Sequence, residues 1–377
     1  MQTSINISSV FLKRLVYCFS FFIQITVSIQ LCAQQNLSNN TIKSSAQNLQ
    51  AMLEGNKKLS IKDAYYIMES AWDNCYLSQG EYNNIIHNSG NFIKKWLIEN
   101  KLDTTSNIAL NYGICKFFND TLYLKNNQVH IPLGYDYVDF KAQEDYRNTF
   151  VTKALATGWG QCNTLPAIYV ILAEEINAKA WISYAPYHSF IKFLDDNGTM
   201  QNYDPASHMH ITDQLYQDYL FISSDAEKNR IYLDTLSKIQ TVSSCLIDLS
   251  YMYLLKTNFS DLQTAETWID YSLNFFHNKE ANLQAWFIKS NIIVNKLNHE
   301  MRQYGITDIK KVSEVKELKP LYDKYVEAEN KIKELGYRDI PQEQYSLMMK
   351  HYKEKEKEQI NKGVDGKQKK ELLIEKN

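Results

Sequence analysis

Glycine and proline are scarce in this chain: 12 and 6 in 377 residues, against 26 tyrosines and 16 phenylalanines. So little turn-forming material excludes a fold rich in long turns and points to compact, helix-rich packing. Net charge is nearly absent, at −2. With no basic surface dominating the composition, a nucleic-acid partner is not expected. Cysteine is sparse and widely spaced, six in all, with no C-x-x-C pair and no Cys/His zinc pattern. That excludes a disulfide scaffold, and no metal or cofactor is expected.

The N-terminus reads as an export leader over residues 1–33. Lys13 and Arg14 precede a largely apolar stretch with Phe19, Phe21, Phe22, Ile23, Ile25, Val27 and Ile29, then Cys32 and Ala33, then Gln34 and Gln35. Ser20, Gln24, Thr26, Ser28 and Gln30 interrupt the stretch, which is short for a membrane span. Cleavage after Ala33 gives an exported protein, periplasmic or extracellular, with no remaining membrane attachment. Retention as a signal anchor is the alternative. Leu31 stands before Cys32 where a lipidated cysteine expects a small residue.

Residues 34–59 form a polar lead-in with a short helix over 42–53. Ser60 then reads as an N-cap with Asp63 three residues on, opening a helix whose Ala64, Tyr65, Ile67, Met68 and Ala71 recur at helical spacing. Further helices are expected over 80–99, 105–120 and 140–155, with short strands at 122–124 and 129–131. Leu165, Ile168, Tyr169, Leu172, Ala173 and Ile176 mark one face of the next helix, and Pro166 fits its first turn, where no intrahelical N–H is required. Strand-like alternation follows at 180–184, 188–194 and 199–203. Beyond 211 the pattern is helical. Ala265 to Phe276, Asn278 to Ala281 and Ala285-Trp286 to Leu297 suggest a tetratricopeptide-like hairpin, echoed by Leu321, Tyr322, Tyr325, Ala328, Ile332 and Leu335 after Pro320. Residues 346–377, dense in Lys and Glu, read as a disordered tail or frayed helix. The fold class is therefore α+β: residues 60–210 form a core in which a cysteine-bearing helix packs on a small antiparallel sheet, and residues 211–345 are all-α.

The chemistry concentrates in three residues. Cys162, in Gly160-Gln161-Cys162-Asn163-Thr164-Leu165-Pro166, precedes an apolar helix. A helix N-terminus offers unpaired N–H groups and a positive dipole end, both favouring the nucleophilic thiolate. His188 follows in Pro186-Tyr187-His188-Ser189-Phe190, and Asp204 in Tyr203-Asp204-Pro205. Cys, His, Asp in that order is the skeleton of a thiol acyl-transfer site. The hairpin between the last two strands decides whether it can assemble. With Asp196-Asn197-Gly198 as a three-residue loop and Gly198 left-handed, residue 195 pairs with 199. His188 and Asp204 then share a face, one diagonal step apart. A two-residue loop puts them on opposite faces.

These residues resemble the transglutaminase-like superfamily, the papain-like cysteine fold, in its bacterial type with C-terminal tetratricopeptide helices. Gly160, Gln161, Cys162, Thr164, Leu165, Pro166 and Tyr169 match one motif of that family, and Pro186, His188 and Phe190 a second, the likeness covering roughly residues 60–300. The resemblance implies Cys162 as nucleophile, His188 as general base and Asp204 as the group that orients the imidazole. The Cys162 backbone N–H is a natural oxyanion donor, with Trp159 and Gln161 as candidates for a second. It implies a hydrolase or transamidase acting on a peptide or protein substrate, with the C-terminal helices available to a protein partner. Each residue also has an ordinary reading: a small buried cysteine, a strand histidine, an aspartate in a strand-ending turn. The alternative function is a non-catalytic protein-binding scaffold on the same core. A third reading, a metal held by Asp204, His208 and His210, rests on strand spacing alone.

Overall fold

The computed structural model describes residues 32–72 and 75–361. The leader expected over 1–33 lies outside these residues except for its last two positions, as do residues 362–377 of the tail. Among the described residues no helix is long and apolar enough to cross a membrane.

Helix α1 (Cys32–Leu53) contains the short helix expected over 42–53 and extends it back through the stretch expected to be loose. Ile42, Ala46, Leu49 and Leu53 form a narrow buried stripe along it. Helix α2 (Ile61–Ser70) begins as expected, with Ser60 Oγ accepting from the Asp63 N–H at 3.2 Å. Helix α3 (Gln79–Glu99) opens on a reciprocal cap between Ser78 and Glu81. Helix α4 (Asn107–Asn119) leads into the antiparallel pair β1 (Leu122–Tyr123) and β2 (Val129–His130).

Strand β3 (Gly134–Tyr135) pairs in parallel with β4 (Trp159–Gly160). Between them, the helix expected over 140–155 is mostly absent. Only a 3-10 turn (Tyr146–Thr149) and helix α5 (Val151–Thr157) form. The reason is Asp139, whose carboxylate accepts the backbone N–H groups of Gln143, Glu144 and Asp145 and the Asn148 side-chain amide, at 2.7–3.1 Å. A side chain that collects successive amides competes directly with helix formation.

Helix α6 (Thr164–Ile176) is the centre of the first core. It is buried on nearly all sides, not on one face as its periodicity implies. Tyr82, Ile86, Ile93, Leu97, Ile114 and Phe118 surround it on one side and the sheet on the other. That sheet is β5 (Ala180–Ala185), β6 (His188–Leu194) and β7 (Met200–Tyr203), antiparallel in the order β5-β6-β7.

The remainder is helical: α7 (Asp213–Leu220), α8 (Ser224–Lys228), α9 (Lys238–Lys256), α10 (Leu262–Leu273), α11 (Leu283–Gln303), α12 (Lys319–Glu334) and α13 (Gln342–Asn361). Successive members of α9 to α12 pack on one another, and α1 and α2 close the second core against α9. Asn282 Oδ1 caps α11 by accepting from the Ala285 N–H at 2.9 Å. The molecule is thus α+β and helix-rich. Tyr65 and Tyr184 touch both cores.

Candidate active site

Strand β4 delivers the chain to Cys162 through a tight corner. A Cβ on Gly160 would stand 2.8 Å from both Leu165 Cδ2 and Thr164 Oγ1, so no larger residue fits without displacement. The Gln161 N–H donates to Thr164 Oγ1 at 2.6 Å, and the Gln161 carbonyl accepts from the Thr164 and Leu165 N–H groups. These bonds wind the first turn of α6 immediately behind the cysteine. The Cys162 carbonyl accepts from Ser189 Oγ at 2.5 Å. Its N–H donates to no acceptor among the described residues, which leaves it available to an oxyanion.

His188 opens β6 directly after Tyr187, which adopts φ of 61°. That left-handed position normally favours glycine or asparagine. It turns the Tyr187 carbonyl toward Cys162 Sγ, 3.9 Å away.

Asp204 follows β7. The three-residue loop expected from Asp196-Asn197-Gly198 forms: Asp195 N–H donates to the Thr199 carbonyl at 2.9 Å, and Gly198 has φ of 80°. The register Ile191↔Tyr203 then sets His188 and Asp204 on one face. Asp204 Oδ2 lies 3.1 Å from His188 Nε2. The carboxylate also accepts from the Ala206 N–H and Ser207 Oγ, each at 2.9 Å. With Nε2 engaged, Nδ1 is the ring nitrogen left for other chemistry.

Burial alone would lower the imidazole pKa. The Asp204 carboxylate outweighs it, the nearby Cys162 thiol adds to the effect, and the pKa rises to about 10. Asp204 is buried, which by itself would raise its pKa; His188, the Ala206 N–H and Ser207 overcome this and hold it below the ordinary carboxylate value. Cys75, Cys115 and Cys245 are free thiols elsewhere, each pushed up by burial, Cys115 to about 12.

Of the two candidate second oxyanion donors, Gln161 is engaged elsewhere. Gln161 is buried, and its Nε2 donates to the Asp139 carbonyl at 3.3 Å. The Trp159 ring lies against the backbone of Gly134. His210 Nδ1 donates to the Asn202 carbonyl at 2.8 Å, and Asp204 is committed to His188. Among the described residues no group of three or more His, Cys, Asp or Glu side chains could hold a metal ion.

Sequence reasoning missed the surroundings. Tyr216 stacks on Phe190 at 4.3 Å and lies 6.0 Å from the His188 ring. A cleft runs from Tyr187 and His188 toward α9 and α11, lined also by Arg230, Asp234, Gln240 and Gln284. The tail expected to be disordered or a frayed helix is helical to Asn361, and α13 lies across the segment 135–141 beside Cys162. Tyr352 sits among Tyr135, Tyr137 and Phe140 at ring-centroid distances of 5.0–6.0 Å. The signal was present as Tyr345, Met348, Tyr352, Glu356 and Gln359, one helical stripe inside a charged run.

Compared with known proteins, the chain matches no family model, no curated protein and no solved structure.

Proposed function

We propose that this protein is an exported thiol-dependent acyl-transfer enzyme of the transglutaminase-like, papain-like kind, acting on peptide-like amides. The observation that carries the reading is the His188 ring, bound through Nε2 to a buried carboxylate and raised in pKa beside a half-buried cysteine at a helix start. In this mechanism His188 Nδ1 takes the thiol proton and Cys162 Sγ attacks the amide carbonyl carbon. The oxyanion is met by the Cys162 N–H. Collapse breaks the C–N bond, the imidazolium protonates the departing amine, and a thioester remains. Water or a second amine then attacks the thioester, gives its proton to His188 and regenerates the thiol. Asp204 keeps the imidazole oriented throughout. The cleft wall from α9 and α11 gives the helical part a place in substrate binding.

The test is alkylation at neutral pH in the wild type and His188→Ala. Cys162 is expected to react at least about tenfold faster than Cys75, Cys115 or Cys245, as a thiolate does beside buried thiols, with the advantage lost in the variant. Equal slow labelling of all four refutes the reading. A non-catalytic scaffold is the second reading, favoured by one observation: α13 covers the approach to Cys162.

A further inference from the structure

Helix α13 is attached to the molecule in an unusual way. Among the described residues, none of the buried hydrophobic clusters includes a residue from it. Its outward face leaves Leu347 and Ile360 more than half exposed, at 57% and 55%. The inward face makes two kinds of contact. Tyr352 fills a box of Tyr135, Tyr137 and Phe140. Tyr345 lies 6.4 Å from Tyr187, ring to ring, and its hydroxyl accepts from Lys141 Nζ at 3.5 Å.

The second kind of contact is to backbone. The Tyr137 N–H donates to Gln359 Oε1 at 2.8 Å, and the Asp139 N–H donates to Glu356 Oε1 at 3.1 Å. The Tyr137 N–H continues the free edge of β3, and the Asp139 N–H follows it in a turn where Asp139 has φ of 49°. Here two side-chain oxygens from a helix accept them. A carbonyl group of an extended peptide supplies the same acceptor to the Tyr137 N–H, which is how strand edges bind peptides.

The segment carrying these donors leads to the nucleophile. Asp136 N–H donates to the Gly160 carbonyl at 2.8 Å, and the Asp139 carbonyl accepts from Gln161. A peptide lying on 135–137 therefore runs beside Gly160-Gln161-Cys162. Tyr345 stands against Tyr187, whose carbonyl is 3.9 Å from Cys162 Sγ, which puts the helix close to the site.

We propose that α13 is a lid seated in cis on the surface that receives the substrate, and that an extended peptide reaches Cys162 along residues 135–137 when α13 is displaced. An aromatic side chain of that peptide takes the box vacated by Tyr352. The proposal rests on the reading of Cys162 as an acyl-transfer nucleophile, and it removes the force of the covered approach as an argument for a scaffold. Because α13 shares in no buried apolar cluster, it can leave while both large cores stay intact.

The experiment uses the full chain in three forms: wild type, the triple variant Tyr352→Ala/Glu356→Ala/Gln359→Ala, and Leu347→Ala on the outer face as control. Cys162 is modified with a small methanethiosulfonate and with a bulky maleimide, and the ratio of bulky to small rates is taken. Loss of the aromatic box and both backbone contacts is expected to raise that ratio by about tenfold or more, the effect of shifting a closed equilibrium by about 1.4 kcal/mol. Leu347→Ala is expected to leave it unchanged. A ratio in the triple variant equal to wild type overturns the lid. Should the triple variant not fold, amide hydrogen exchange on the wild type decides: α13 amides are expected to exchange far faster than those of α6, and equal protection overturns the proposal. The lid is read from the size ratio, and thiol activation from the small reagent with and without His188, so the two can fail separately.

Discussion

Asp204→Asn isolates the electrostatics of the site. The substitution removes the charge and keeps an acceptor oxygen near His188 Nε2, now 3.1 Å from the carboxylate. At an effective dielectric constant of about 20, unit charges at that separation interact by roughly 5 kcal/mol, or about 4 pKa units. The imidazole rises from 6.5 to about 10 against the opposing effect of its burial, so the carboxylate accounts for most of the rise. Its loss is expected to bring the His188 midpoint down by about 2–4 units. The direction follows from which form is favoured: Asp204 stabilises the imidazolium, so without it the proton leaves at lower pH. Carbon-13-labelled histidine followed by NMR from pH 5 to 10.5 measures the midpoint, and His188→Ala assigns its signal among the eight histidines. The same variant is expected to slow Cys162 alkylation at pH 7. A His188 midpoint that stays near 10 in Asp204→Asn refutes the assignment of Asp204 as the imidazole's partner.

Asp248 is half-buried, with Gln284 Nε2 donating to it at 2.5 Å, and desolvation lifts its carboxyl from 3.8 to about 7. A raised carboxyl contributes stability below its unfolded pKa and loses it as pH rises through the folded one. Asp248→Asn is therefore expected to gain on wild type by about 2–3 kcal/mol between pH 5 and pH 8 in urea titrations; a gap independent of pH counts against it. Ser189→Ala deletes the bond to the Cys162 carbonyl and is expected to cost about 1–3 kcal/mol in the same titrations and to slow Cys162 labelling. Gly160→Ala forces a Cβ to 2.8 Å from Leu165 and Thr164, and a loss of about 1–3 kcal/mol is expected from overpacking; unchanged stability means that the corner relaxes freely.

What could be read from the sequence was local or strictly periodic. The 196–198 loop was legible because Asp195 and Gly198 are the residues that close such a turn, and because period-two alternation leaves few registers. Ser60 as a cap was legible for the same reason. The failures have long-range causes. Asp139 collects amides up to six residues away and suppresses a helix that the apolar pattern of 140–155 supports. Helix α1 has only a thin apolar stripe, and its partner α9 lies some 200 residues on. In α13 the dense Lys and Glu hide the stripe of Tyr345, Tyr352 and Gln359, whose significance depends on three aromatic residues near position 137. The site was legible as an order of residue types. A second oxyanion donor was not, because the group that engages Gln161 lies at Asp139, in a segment whose position no local pattern specifies.

The sequence boundary near residue 210 suggests that the core and the helical part are separable, but the hydrogen bonding argues otherwise. After α8 the chain returns along β5: the Leu233 N–H donates to the Tyr184 carbonyl at 2.9 Å and the Leu236 N–H to the Ile182 carbonyl at 2.8 Å. The helical part thus supplies a bent loop segment that covers part of the outer edge of the sheet, next to the turn that places His188. Tyr184 itself packs into both large cores, and α2 gives Ile61 to one and Ala64 and Met68 to the other. A fragment of residues 60–210 leaves the β5 edge unpaired and the second face of α2 bare, a combination that promotes edge-to-edge association. We expect that fragment to aggregate, and the fragment extended to 300 to remain soluble, when both are followed by size-exclusion chromatography. A monomeric 60–210 fragment with native near-ultraviolet circular dichroism would show that the site is built by the α+β core alone, and that the helices serve only substrate or partner binding.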